Sequence, residues 1–129
     1  FNGAEVASTT GAFRVLETSH PPTFYLPPAD VDMSLLREAT GSSVCEWKGQ
    51  ATYWSVVVDG AVAEAAAWSY PEPTRDFRAI AGYLSFYPAL VECSVDGIRV
   101  MPQPGGFYGG WITPDVVGPF KGDPGTWGW

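Results

Sequence analysis

Residues 45–60 read Cys-Glu-Trp-Lys-Gly-Gln-Ala-Thr-Tyr-Trp-Ser-Val-Val-Val-Asp-Gly, and they restrict the fold more than any other stretch of the chain. The β-branched and aromatic run closes on Asp59-Gly60, so it predicts a long strand feeding a tight hairpin turn. Alternation then places Thr52, Trp54, Val56 and Val58 on one face and Ala51, Tyr53, Ser55 and Val57 on the other. Both faces are largely apolar, as a central strand covered on both sides requires. The start of the run is different, because Cys45, Glu46, Trp47 and Lys48 bring a thiol, a carboxylate, an indole and an ammonium into succession. A core strand has no packing need for Lys48, since a buried unpaired charge is costly.

The residues that follow predict what this strand pairs with. Residues 61–70 alternate, setting Glu64, Ala66, Trp68 and Tyr70 on one face of a return strand that the hairpin brings back toward Trp47 and Lys48. Pro71-Glu72-Pro73-Thr74 breaks that strand, and Thr74 is placed to cap one short helix over residues 75–83 with Phe77, Ile80 and Ala81 as its buried stripe. Upstream, residues 4–7 and 13–17 read as short strands around the Ser8-Thr9-Thr10-Gly11 turn. The two proline pairs Pro21-Pro22 and Pro27-Pro28 force extended geometry around Phe24-Tyr25, which predicts a surface crossing that joins no ladder centrally. Asp30 is the expected cap of a single helical turn over Met33, Leu36 and Arg37, ended near Gly41. Residues 90–95 read as a strand turned by Asp96-Gly97 into residues 98–101. From Pro102 onward Gly, Pro and aromatic residues show little periodicity, which predicts an ordered extension over residues 102–129 that wraps the sheet by aromatic burial. The chain opens on Phe1-Asn2-Gly3, a hairpin signal with almost nothing before it, and this leads to the expectation of a strand upstream.

At 129 residues the chain fits a single domain, 1–129, with enough length for a real core. Its 46% hydrophobic and 16% charged content is that of a globular protein, and 15 Gly with 12 Pro disfavour a helical bundle. A formal net charge of −7, with the few cations scattered, argues against nucleic acid or an anionic membrane surface as partner. No apolar run approaches the roughly 20 residues a bilayer span needs, and no secretory leader pattern is present, so a cytoplasmic location is expected. Cys45 and Cys93 are too few for a disulfide scaffold or a four-cysteine zinc site, and they are expected to be free thiols.

Several standard sites are struck out. The chain has no dinucleotide or triphosphate loop, no zinc-protease motif and no serine-hydrolase elbow, and its single His20 cannot build a multi-histidine metal site. Gly105-Gly106 and Gly109-Gly110 flank Phe107-Tyr108 without a following helix, a weak phosphate signal. Two features remain. One is aromatic density at strand ends, giving Tyr25, Trp47, Tyr53, Trp68 and Tyr70 as candidate ligand-binding residues, with Trp111 contributed by the tail. The other is the set Cys45, His20, Lys48 and Glu72, in which thiol and imidazole are a nucleophile and base and Lys48 is an alternative reactive group. Glu72, at the end of the paired strand, is the expected partner of the Lys48 ammonium, and together the two would orient an anionic or carbonyl-bearing ligand.

Four stretches carry a resemblance: H-P-P-T-F-Y-L-P-P-A-D-V at 20–31, C-E-W-K-G-Q-A-T-Y-W at 45–54, A-W-S-Y-P-E-P at 67–73 and Y-L-S-F-Y at 83–87. They resemble the family called domain of unknown function 427, found in bacteria, archaea and fungi, and the tail G-G-F-Y-G-G-W at 105–111 is similar to that of a subset. The resemblance implies a mainly β (α+β), compact antiparallel fold of the β-tent type, related in shape to methionine sulfoxide reductase B-type domains and to the cereblon ligand-binding domain. It implies no activity and no cofactor. Zinc-binding relatives of that fold carry paired cysteines that this chain lacks, so no metal is expected. By analogy of fold, an aromatic cage of Trp47, Trp68 and Tyr70 would take a flat or cationic small molecule. The expected function is therefore binding of a small molecule, against two alternatives: a small enzyme using Cys45 or Lys48, or a structural, self-associating domain using a patch of Phe107, Tyr108 and Trp111. A monomer or weak homodimer is expected.

Overall fold

A computed structural model of the chain describes residues 1–17, 20–45, 47–104 and 108–116. The strands are β1 (Phe13–Val15), β2 (Thr23–Tyr25), β3 (Leu36–Cys45), β4 (Gly49–Val58), β5 (Ala61–Ser69), β6 (Leu84–Phe86), β7 (Ser94–Val95), β8 (Ile98–Arg99), β9 (Met101–Pro102) and β10 (Trp111–Ile112). The fold is mainly β, with a four-stranded antiparallel sheet ordered β3-β4-β5-β6 and three small two-stranded sheets.

The Asp59-Gly60 hairpin forms as its residues dictate. Val58 faces Ala61, and both turn residues take positive φ, 48° and 80°, the geometry whose twist matches that of the flanking strands. Opposite Ser55, residues 64–66 bulge out of β5: Ala65 is left-handed at φ 49°, and its N–H is taken up by Ser55 Oγ at 3.1 Å. Two extra residues preserve the alternation, so Trp68 stays beside Tyr53 on one face and Ala67 beside Trp54 on the other. The β4 faces divide as expected. Val56 and Val58 enter a large apolar cluster with Ala63, Ala67, Leu84 and Phe86, while Ala51 and Tyr53 enter a second cluster with Tyr25, Trp68, Tyr70 and Ile80.

Several local expectations are corrected. The run from Cys45 to Gly49 is no strand interior: Cys45 ends β3 and faces Gly49, the first residue of β4, so Trp47 and Lys48 lie on a second hairpin. The helical turn expected at Leu36 and Arg37 is replaced by that ten-residue β3, preceded by one 3-10 turn over Met33–Leu35 capped by Asp32, whose Oδ1 accepts from Ser34 N at 3.2 Å; Asp30 ends the previous turn. β3 is an edge strand, exposed along most of its length, so its Glu, Thr and Ser residues never produce the apolar alternation that reveals a strand. The Phe24-Tyr25 segment does join a ladder. It pairs with β1 and, through the Leu26–Leu84 bridge, with β6, the prolines flanking the strand and leaving its interior free. The expected strand at residues 4–7 is only a bridge from Ala7 to Val31.

The helix after Thr74 is a 3-10 segment, Arg75–Ile80, kinked at Phe77. Ile80 is buried and Phe77 half-buried, while Ala81 lies in solvent. Thr74 supplies no side-chain cap, because its hydroxyl donates instead to the Trp47 carbonyl. The strand read at residues 90–95 reduces to β7, turned as expected by Asp96-Gly97. The tail folds back where it is described. Trp111 stacks on Phe24 at 4.8 Å, its backbone N–H bonds Pro22 O at 2.8 Å, and its indole Nε1 donates to Phe86 O at 2.9 Å. Phe107 and residues 117–129 lie outside the described residues.

Trp111 thus pins the tail to both β2 and β6. Replacing it with Ala should cost about 3–5 kcal/mol, as buried aromatic truncations do, read as a shifted urea midpoint; a loss under about 1 kcal/mol would show the tail to be an appendage.

Candidate functional site

The second apolar cluster does not close. Between β4, the β5 end, β1–β2 and the tail lies a cavity of about 320 Å³ lined by Tyr25, Tyr53, Trp68, Tyr70 and Tyr87. Cys45, Lys48, His20 and Glu17 complete its polar part. That volume falls at the lower end of the range for small-molecule sites. A larger, separate cavity of about 610 Å³ lies over the other cluster, against Phe24, Leu26, Phe86, Cys93 and Trp111; of the expected aromatic residues it holds only Trp111, which is absent from the smaller cavity.

Of the residues expected to bind ligand, Tyr25, Lys48, Tyr53, Trp68 and Tyr70 converge here, and so do Cys45 and His20. Two do not. Trp47 is 75% exposed at the tip of the β3–β4 hairpin, on the outside of the cavity. Glu72 is exposed as well. Its segment does come back to Lys48 as the hairpin predicts, but by backbone: Thr74 N–H donates to Lys48 O at 2.8 Å, and a Cβ on Gly49 would sit 3.2 Å from Glu72 O. Proline on both sides of Glu72 holds that backbone flat against the hairpin, and its carboxylate goes to water.

The partner of Lys48 is Glu17. The ammonium donates to Glu17 Oε1 and lies 5.7 Å from the centre of the Phe77 ring. Lys48 is 7% exposed, whereas the Glu17 side chain is 44% exposed. Burial alone would pull the lysine pKa down; the hydrogen bond to Glu17, with Tyr25 and Cys45 adding to it, outweighs that and holds the ammonium above its ordinary value. A cation raised in this way stabilises the fold at neutral pH and below, and the contribution is lost only as pH climbs through the raised value. Glu17 could have been found in the sequence. It follows β1 in step with Phe13 and Val15, and Val15 lines the same cavity.

The aromatic walls are hydrogen-bonded to one another. Trp68 Nε1 donates to Tyr25 Oη at 3.2 Å, with the two rings edge to face at 6.1 Å, and the Tyr53 and Ser43 hydroxyls share a bond of 2.8 Å. Burial raises the phenol of Tyr25 above the ordinary tyrosine value and those of Tyr70 and Tyr87 well above it, so all three stay neutral and keep their protons. Tyr87, absent from the expected set, packs on Trp68 at 4.6 Å. The tail supplies the remaining wall through Gln103, Tyr108, Gly109 and Gly110. Gly109 lies so close to the Trp68 indole that a Cβ would stand 2.1 Å from Cη2, which explains this glycine by packing rather than by phosphate binding.

Both cysteines are free thiols. Cys93 is buried in the other cluster with its pKa pushed up to about 12, so it is chemically quiet; Cys45 is half-buried at the cavity. Among the described residues no three His, Cys, Asp or Glu side chains converge as metal ligands would. No helix among them is long and apolar enough to cross a membrane.

Residues 1–99 match the sequence model of the family described as "Domain of unknown function (DUF427)". No curated protein matches the chain.

The unequal exposure of the ion pair has a measurable consequence. Glu17→Ala strands a buried ammonium and should cost about 3–5 kcal/mol, whereas Lys48→Met leaves a carboxylate already half in water and should cost about 1 kcal/mol or less. Urea titrations giving equal losses would contradict this placement of the pair.

Proposed function

We propose that this chain, which belongs to the family described as a domain of unknown function (DUF427), binds a small planar molecule that bears a carbonyl or carboxylate group. The observation that carries the reading is the buried Lys48 ammonium at the wall of an aromatic cavity. Glu17 takes up only one of its donors, and an ammonium has three. Around it stand phenols whose protons burial retains. Tyr25 Oη accepts from Trp68, which orients that phenol at the wall. The one fixed cation of the wall is thus a donor with capacity to spare, and the ligand complementary to it brings an acceptor.

The flat walls favour a ring or a conjugated group, since Trp68 and the tyrosines offer faces and edges to stack against. A cationic ligand suits this cavity poorly, because a fixed ammonium already occupies the position beside Phe77. A second reading, an enzyme with Cys45 or Lys48 as the reactive group, is favoured by one observation: both line the same cavity.

Titration with benzoate, benzamide and benzylamine, followed by shifts of the Trp68 indole N–H, separates the possibilities. Benzoate and benzamide should bind and benzylamine should not, and Lys48→Met should weaken benzoate by about tenfold, the value of one charge-assisted hydrogen bond. Binding of benzylamine as tight as that of benzoate, or benzoate affinity unchanged in Lys48→Met, would overturn the proposal.

A further inference from the structure

We infer that Gln103 holds His20 as the neutral Nε2–H tautomer, so that the histidine offers the cavity a hydrogen-bond donor and not a base. The inference starts from an atom whose role is not adjustable. The backbone N–H of Gly110 can only donate, and it lies 3.3 Å from Gln103 Oε1. That fixes which end of the amide is oxygen. The other end, Nε2, is a donor and lies 3.2 Å from His20 Nδ1. An amide NH₂ facing a ring nitrogen requires a lone pair there, so Nδ1 is bare, and the one hydrogen of a neutral imidazole sits on Nε2.

The arrangement is built in rather than incidental. Gln103 is only 3% exposed, and burial makes an unpaired amide expensive. A Cβ on Gly110 would stand 2.5 Å from Gln103 Oε1 and 2.3 Å from Pro21 Cγ, so any side chain there would drive the amide from its place. The Tyr108 ring meets the imidazole edge to face at 5.1 Å. Gln103, Tyr108 and Gly110 all follow residue 99, where the family match ends, so this control of His20 comes from the tail.

With Nδ1 engaged, the polar ring atom left for a ligand is Nε2, and it carries the hydrogen. This deepens the reading of the cavity as an acceptor-binding site and rests on it for its functional meaning. It also weighs against His20 as the base for Cys45: taking the thiol proton would need the lone pair that Gln103 already uses. Gln103 is in these terms a positioning residue.

His20 is the one histidine of the chain, so its ring nitrogens can be read by ¹⁵N NMR without assignment ambiguity. At about pH 9, well above the range where imidazole ordinarily titrates, the full chain should show a pyrrole-type Nε2 and a pyridine-type Nδ1. Gln103→Glu replaces the donor with an acceptor and should reverse the two signals, and Gln103→Met, which removes the donor, should give averaged shifts. A protonated Nδ1 in the unaltered protein would overturn the inference. So would an unchanged pattern in either folded variant. No ligand enters the measurement, so its failure leaves the Lys48 reading standing, and failure of benzoate to bind leaves the tautomer untouched.

Discussion

A strand with apolar side chains on both faces needs cover on both sides, and β4 obtains it unequally. On the Val56–Val58 side, the other strands, the N-terminal segment and Trp111 build the larger apolar cluster, whose outer side carries the cavity of about 610 Å³. On the Ala51–Tyr53 side most of the cover is large rings, and rings of that size meeting edge to face or tilted leave space between them. The cavity is thus a consequence of the way the second face is covered. Its floor is the ladder itself, through Ala51, Tyr53 and Trp68.

Within that space the Lys48–Glu17 pair sets the polarity. A lysine this deeply buried would ordinarily give up its proton. Glu17 prevents that from the β1 side while remaining half in water, so little desolvation is demanded of the carboxylate. The result is a charged donor presented from a protein wall, surrounded by phenols that burial keeps neutral. Glu72, which the hairpin brings to the same place, lays its backbone against Gly49 with its side chain exposed, and the ammonium pairs with Glu17.

How much of this was legible follows from how local each signal is. The Asp59-Gly60 turn and the faces of β4 depend on neighbouring residues alone, and both are readable; so is the meeting of Lys48, Tyr53, Trp68 and Tyr70 at one cavity, because strand ends joined by a tight hairpin must meet. The exposed β3 was illegible, since an edge strand with solvent on its outer face has no apolar period. Trp47 is not legible as a surface residue because the chain turns between Cys45 and Gly49, where the sequence predicts a continuous strand, and this puts Trp47 at an exposed hairpin tip. Gln103 is beyond sequence reasoning for another reason: its contact with His20 spans 83 residues, and nothing in an aperiodic tail fixes where it returns.

The central claim is that Lys48 and the aromatic walls form one site for an acceptor-bearing ring. A crystal of the protein soaked in benzoate tests it most directly. The account predicts the carboxylate within hydrogen-bond reach of Lys48 Nζ, with the ring between Trp68 and the tyrosines. Benzoate seated elsewhere, with Lys48 turned out to solvent and the cavity collapsed, would contradict it.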